Sequence, residues 1–133
     1  MGIKKEFRLK SKKSIGNLLL SRNRLKAFPL HVLYNTSRER YPERKSKVQV
    51  AFSAPKRIHR SAVKRNLYKR QMREAFRPFI PRMEDFMEKN EGVLDLMFIY
   101  VGSDQVSHID LKAKIKVLLE RLENQLKPSI TDE

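Results

Sequence analysis

Residues 61–79 read S-A-V-K-R-N-L-Y-K-R-Q-M-R-E-A-F-R-P-F. Plotted at about 100° per residue, Tyr68, Met72, Ala75, Phe76 and Phe79 fall within a sector of about 100°. Arg65, Asn66, Lys69, Arg70, Arg73 and Arg77 fall within an adjacent sector of about 140°. Ser61 is placed to cap such a helix, and Pro78 interferes with it after Arg77. One sector can bury against a sheet. The other presents five cations and an amide. Like charges at i, i+4, such as Arg65/Lys69 and Lys69/Arg73, each cost about 0.2–0.5 kcal/mol. Only Glu74 is available to relieve them. A helix selected for stability alone would interleave glutamate, so the missing acids argue for a phosphate-binding face over a merely solvated one. Arginine outnumbers lysine on the stripe, which favours bidentate phosphate contacts.

Working outward, Val48–Ser53 alternates with Val48, Val50 and Phe52 on one side, and Pro55 ends it. Leu30–Asn35 alternates in the same way. The charged stretch between them, Ser37–Lys47, holds Pro42 and reads as a loop. Ile15, Leu18 and Leu19 are spaced for a short amphipathic helix over Ser14–Leu20. Beyond the basic helix, Arg82–Lys89 can form another helical stretch. The nearly continuous apolar run Val93–Val101 suits a strand buried on both faces. Ser107 and Asp110 form a helix-start signal. Leu111, Ile115, Leu118, Leu119, Leu122 and Leu126 mark the buried stripe of a final helix. This order predicts an α+β fold, a two-layer sandwich of sheet and helices.

The chain has 133 residues and 40% apolar content, which suits one domain spanning 1–133 with a modest core. Residues 1–6 and 128–133 are expected to be flexible. There is no cysteine, so disulfides and thiolate metal sites are excluded. His31, His59 and His108 have no ligand spacing, and no metal site is expected. No apolar region follows the basic N-terminus to make a secretory signal. The longest apolar run, Leu96–Val101, is too short to span a bilayer. A cytoplasmic setting is expected. The formal net charge is +15 and it is segregated: residues 1–77 carry 23 Lys/Arg against 4 Asp/Glu, and residues 78–133 carry 7 against 11. A polyanionic partner is implied, with nucleic acid or an anionic membrane as the leading choices. The membrane is disfavoured because the apolar sector is narrow and has internal elements to pack against. Charge alone leaves DNA open, though no helix-turn-helix pattern or zinc ligands support it.

The segment Ala62–Phe76, AVKRNLYKRQMREAF, closely resembles the central motif of bacterial ribonuclease P protein subunits, A-V-x-R-N-R-x-K-R-x-x-R-x-A-F. Matches fall at Ala62, Val63, Arg65, Asn66, Lys69, Arg70, Arg73, Ala75 and Phe76. Val50–Arg57, VAFSAPKR, looks like the family's V-G-x-S-V-x-K-K. Phe7-Arg8-Leu9 and the Pro29–Tyr34 strand also fit its layout. Leu67 stands where the family has an arginine, and Ile15 and Leu19 stand where it usually has phenylalanines that stack on bases. The resemblance implies a four-stranded sheet with three helices and a left-handed β-α-β crossover that contains the basic helix. Ordinary crossovers are right-handed.

It also implies a function: an RNA-binding subunit that helps a catalytic RNA remove the 5′ leader from precursor tRNA. The catalytic RNA subunit and the precursor leader would be the partners, with no DNA or membrane expected. Lys56, Arg57, Arg60, Lys64, Arg65, Asn66, Lys69, Arg70, Arg73 and Arg77 would contact RNA. Phe7, Arg8, Ile15, Leu19, Tyr34 and Phe52 would border the leader cleft, with Val32 and Val50 beside them. Val50 and Phe52 are equally suited to the core. No protein-borne catalytic residue is expected. Glu84, Asp85 and Glu88 cluster, but read as a solvated helix face. His59, which could titrate near neutrality, reads as a loop residue of the RNA interface. No cofactor is expected in the protein, and magnesium would enter with the RNA subunit. The competing reading is a ribosomal or general RNA-binding protein without turnover.

Overall fold

A computed structural model describes residues 3–37 and 44–126. The elements are α1 (Lys12–Leu20), β1 (Arg24–Ala27), β2 (Leu30–Ser37), β3 (Val48–Ser53), α2 (Ala62–Phe76), α3 (Ile80–Lys89), β4 (Val93–Tyr100) and α4 (His108–Leu126). Single 3₁₀ turns occupy Lys5–Phe7 and Arg77–Phe79. The middle of the expected 37–47 loop and the expected flexible tail at 128–133 lie outside the described residues. So do residues 1 and 2. Ile3 is buried in the core.

The four strands form one mixed sheet in the order β1-β2-β4-β3. β1 pairs antiparallel with β2, and β2 antiparallel with β4. β3 lies parallel to β4. Parallel neighbours cannot be joined by a tight turn, so α2 and α3 form the crossover between them. The α+β sandwich read from the sequence is present.

Register sorts every strand residue to one of two faces. Val32, Tyr34, Val48, Val50, Leu94, Leu96, Phe98 and Tyr100 point to the back face, where α2, α3 and α4 complete a large core. Leu33, Met97 and Ile99 point to the front face and are covered with Leu9 and Leu18 by α1. β4 is thus buried on both sides, which is why its sequence is a continuous apolar run.

Local chemistry sets the helix ends. Ser11 Oγ accepts the Ser14 N–H at 3.2 Å, and Ser107 Oγ accepts the Asp110 N–H at 3.1 Å. Pro81 sits in the first turn of α3, where a missing N–H costs nothing. Pro78 does not end the helical path. The chain passes through the 3₁₀ turn and re-enters α3 at Ile80.

Two features differ from the sequence reading. β1 was not anticipated: four residues, RLKA, with Leu25 as their one buried residue, carry too little pattern. Glu84 is not on a solvated face. Its carboxylate accepts the backbone N–H of Lys47 at 3.2 Å and of Val48 at 2.6 Å, tying α3 to the start of β3. Asp85 does lie on an exposed face, paired with Lys89 at 3.1 Å.

Candidate RNA interface

α2 is seated by Tyr68, Met72, Ala75 and Phe76, all buried. Ser61 Oγ caps it by accepting the Lys64 N–H at 3.3 Å. The turn before it is closed by Ile58 and His59 N–H groups donating to Pro55 O at 3.1 and 2.9 Å. His59 is only 5% exposed, and its Nε2 lies 2.8 Å from Tyr100 O. A carbonyl only accepts, so Nε2 carries the proton. The imidazole packs on Tyr68 and Tyr100, which stack on each other with centroids 4.3 Å apart. Burial holds the Tyr100 phenol above its usual pKa, so it stays a neutral donor to Asp104 O at 2.7 Å. His59 is therefore a joint between β4 and α2, not the interface loop residue its neighbour Arg60 suggested.

Arg65 makes local contacts as well. Its Nη1 donates to the carbonyls of His59 and Arg60 at 2.9 and 3.0 Å. On the wheel Arg65 falls between Met72 and Phe76, inside the core sector, and from there the guanidinium folds back to brace the turn. That turn displays Lys56, Arg57 and Arg60, all exposed. Lys64 is exposed in the first turn of α2. Asn66, Arg70 and Arg77 are exposed, with Lys69 and Arg73 half-buried between them. Glu74 stands 4.0 Å from Arg70, both well exposed, a pairing worth little in water. Leu67 is half-buried. The helix face thus keeps most of its positive charge.

The N-terminal segment adds to this surface. The Leu9 N–H donates to Val50 O at 3.0 Å, laying residues 8–9 along the outer edge of β3. Arg8 Nε donates to Ile3 O at 2.8 Å. Between this segment and α2 runs a groove of about 570 Å³. Arg8 and Lys10 line one side, Arg70, Arg73 and Glu74 the other, with Val50–Phe52 contributing to the lining. Four cations from segments some sixty residues apart thus meet across one carboxylate. Lys10 was not singled out from the sequence, although it lies in the same basic N-terminal run as Arg8.

The six residues assigned to a leader cleft do not form one surface. Tyr34 is buried on the back face, and Phe7 and Phe52 pack against that same core. Phe52 lies 6.1 and 6.0 Å from Phe76 and Phe98. Ile15 is on the front face with Leu18, and Leu19 is 59% exposed. Arg8 lines the groove. Val32 and Val50 are core. On the far side of the front face, Ser14, Asn17, Asn35, Thr36, Ser37, Val93 and Asp95 line a smaller polar cleft of about 220 Å³. Among the described residues no group of three or more His, Asp or Glu could hold a metal ion, and no helix is long and apolar enough to cross a membrane.

A mixed-sheet sandwich that presents one strongly cationic helix, joined by a basic strand-like arm, defines an RNA-binding protein of the α+β class. A family model described as Ribonuclease P matches residues 3–123, and the chain belongs to that family. It is a protein subunit of the tRNA-processing endoribonuclease ribonuclease P. The fold is similar to the RNase P protein of Staphylococcus aureus, with a TM-score of 0.61 at 15% identity, covering 87% of this chain and 94% of that one. Comparison with curated proteins found no match.

Proposed function

We propose that the groove and the exposed stripe of α2 are where this chain docks on the catalytic RNA. The observation that carries this is the convergence of Arg8, Lys10, Arg70 and Arg73. Lys56, Arg57, Arg60, Lys69 and Arg77 extend the surface, and Arg65 contributes by holding the 55–60 turn in place. Phosphates bound here release counterions, so affinity falls steeply with salt.

In this reading the precursor leader runs over the front face beside α1, touching Ile15 and Leu19. Aliphatic side chains there offer contact without stacking. Tyr34 and Phe52 support the sheet from behind. Magnesium enters with the RNA, where it supplies Lewis-acid chemistry and an activated water. The residues of this chain neutralise phosphate and orient RNA. A cytoplasmic location fits such work.

Reconstitution with the cognate catalytic RNA at low magnesium tests the assignment. The protein should raise precursor-tRNA cleavage there. Replacing Lys69, Arg70 and Arg73 together with alanine should weaken RNA binding, lower the salt slope by about one per lost phosphate contact, and leave the fold intact. An unchanged salt slope would remove α2 from the interface.

A further inference from the structure

The β1–β2 hairpin, at the opposite edge of the sheet from β3, has a surface that the α2 interface does not use. Three strand spacings, about 14 Å, separate the two edges. At the hairpin tip Phe28 is 70% exposed. The backbone beneath it is fixed: Val101 N–H donates to Pro29 O at 2.8 Å. A Cβ on Gly102 would meet Pro29 Cβ at 2.7 Å and Phe28 Cζ at 3.4 Å. Glycine there lets the loop after β4 close against the hairpin, so the ring has a firm backing and an open outer side.

Two cations precede it on β1. Arg24 and Lys26 lie four and two residues earlier on the same side of β1, about 6.8 Å apart. That rise is comparable to the phosphate spacing of an extended single strand. Arg24 Nη1 is 2.9 Å from His31 Nδ1. Arg121 reaches from α4 on the opposite face and donates to Lys26 O at 2.7 Å, fixing the edge of the strand. Residues 7–37 contain no aspartate or glutamate. The acidic residue on the adjoining loop is Asp104. A flat aromatic face flanked by regularly spaced cations is the arrangement that binds unpaired nucleotides.

We propose that the β1–β2 hairpin is a second RNA contact, in which Phe28 stacks on an unpaired base while Arg24 and Lys26 hold the phosphates beside it. The unpaired base belongs either to the precursor leader or to the catalytic RNA. The site stands independently of the α2 interface.

The chain has no tryptophan, so Phe28→Trp installs a single tryptophan at the tip, which can be excited selectively over the four tyrosines. A six-nucleotide oligoadenylate should quench it, and inorganic tripolyphosphate should not. Phe28→Ala should weaken oligoadenylate binding by roughly fivefold or more, with Phe28→Tyr retaining it. Circular dichroism confirms that each variant is folded. Quenching should persist in the Lys69/Arg70/Arg73 alanine background, which separates this site from the α2 surface. Precursor tRNA that quenches where its mature form does not assigns the base to the leader; quenching by the catalytic RNA alone assigns it there. Equal quenching by tripolyphosphate, loss of quenching in the α2 background, or unchanged oligoadenylate binding by Phe28→Ala would each overturn the proposal.

Discussion

The two faces of the sheet are built to different standards. The back face is closed by three helices, and its core runs from Leu25 on β1 to Val48 and Val50 on β3. The front face is covered by one helix, α1, nine residues long, and by Leu9 before it, in a cluster of five buried side chains. Leu19 and Leu20 at its end are left in solvent. The sequence could have supplied a longer cover and does not. The larger core lies behind the sheet, and the front face is the more open of the two.

Truncation across the sheet should expose that difference. Phe98 is fully buried on the back face between Phe52 and Phe76. Phe98→Ala is expected to cost about 3–5 kcal/mol in urea unfolding, because rings from two elements cannot collapse into the void. Leu18 is equally buried but on the front. Leu18→Ala should cost about 2–3 kcal/mol, near the low end for such changes. A short helix held by one cluster can shift or detach. Hydrogen exchange should show α1 amides losing protection while those of β4 and α4 keep theirs. If α1 and α4 amides lose protection together, the two faces are one cooperative unit and the contrast fails.

The same contrast explains what could be read in advance. The register of α2 was legible because Tyr68, Met72, Ala75 and Phe76 repeat at helical spacing after a capping serine. β4 was legible because burial on both faces leaves an unbroken apolar run. In β2 and β3 the alternation was visible, but alternation does not say which parity faces which layer. Tyr34 and Phe52 were accordingly grouped with Ile15, although they point to the other side of the sheet. The local ties of His59 and Arg65 were hidden for a different reason. Their partners are carbonyls: Tyr100 O lies 41 positions away for His59, and for Arg65 the accepting groups belong to a turn whose shape no side-chain pattern reports. Glu84 is a similar case, since the backbone N–H groups that donate to it leave no trace in composition. The groove became visible only when the chain fold brought Arg8 and Lys10 against α2.

The smallest effect expected concerns His31, which shares the front face with Leu33 and lies beside Arg24 and Lys26. Its pKa is lowered from 6.5, first by partial burial and then by the two neighbouring cations. The unfolded chain therefore takes up a proton at a pH where the folded chain does not. With more protons bound in the unfolded state, stability rises with pH through this window and falls as the pH drops below about 6.5. His31→Gln removes the titration and keeps an acceptor for Arg24. Measured in urea between about pH 7 and pH 5.5, the wild type should lose stability relative to this variant. A proton-detected titration of the ring should give a midpoint below the ordinary histidine value. A midpoint above it would mean that His31 gains a counter-charge in the folded state, and the basic front edge would then not be the unrelieved surface that the RNA contact at Phe28 needs.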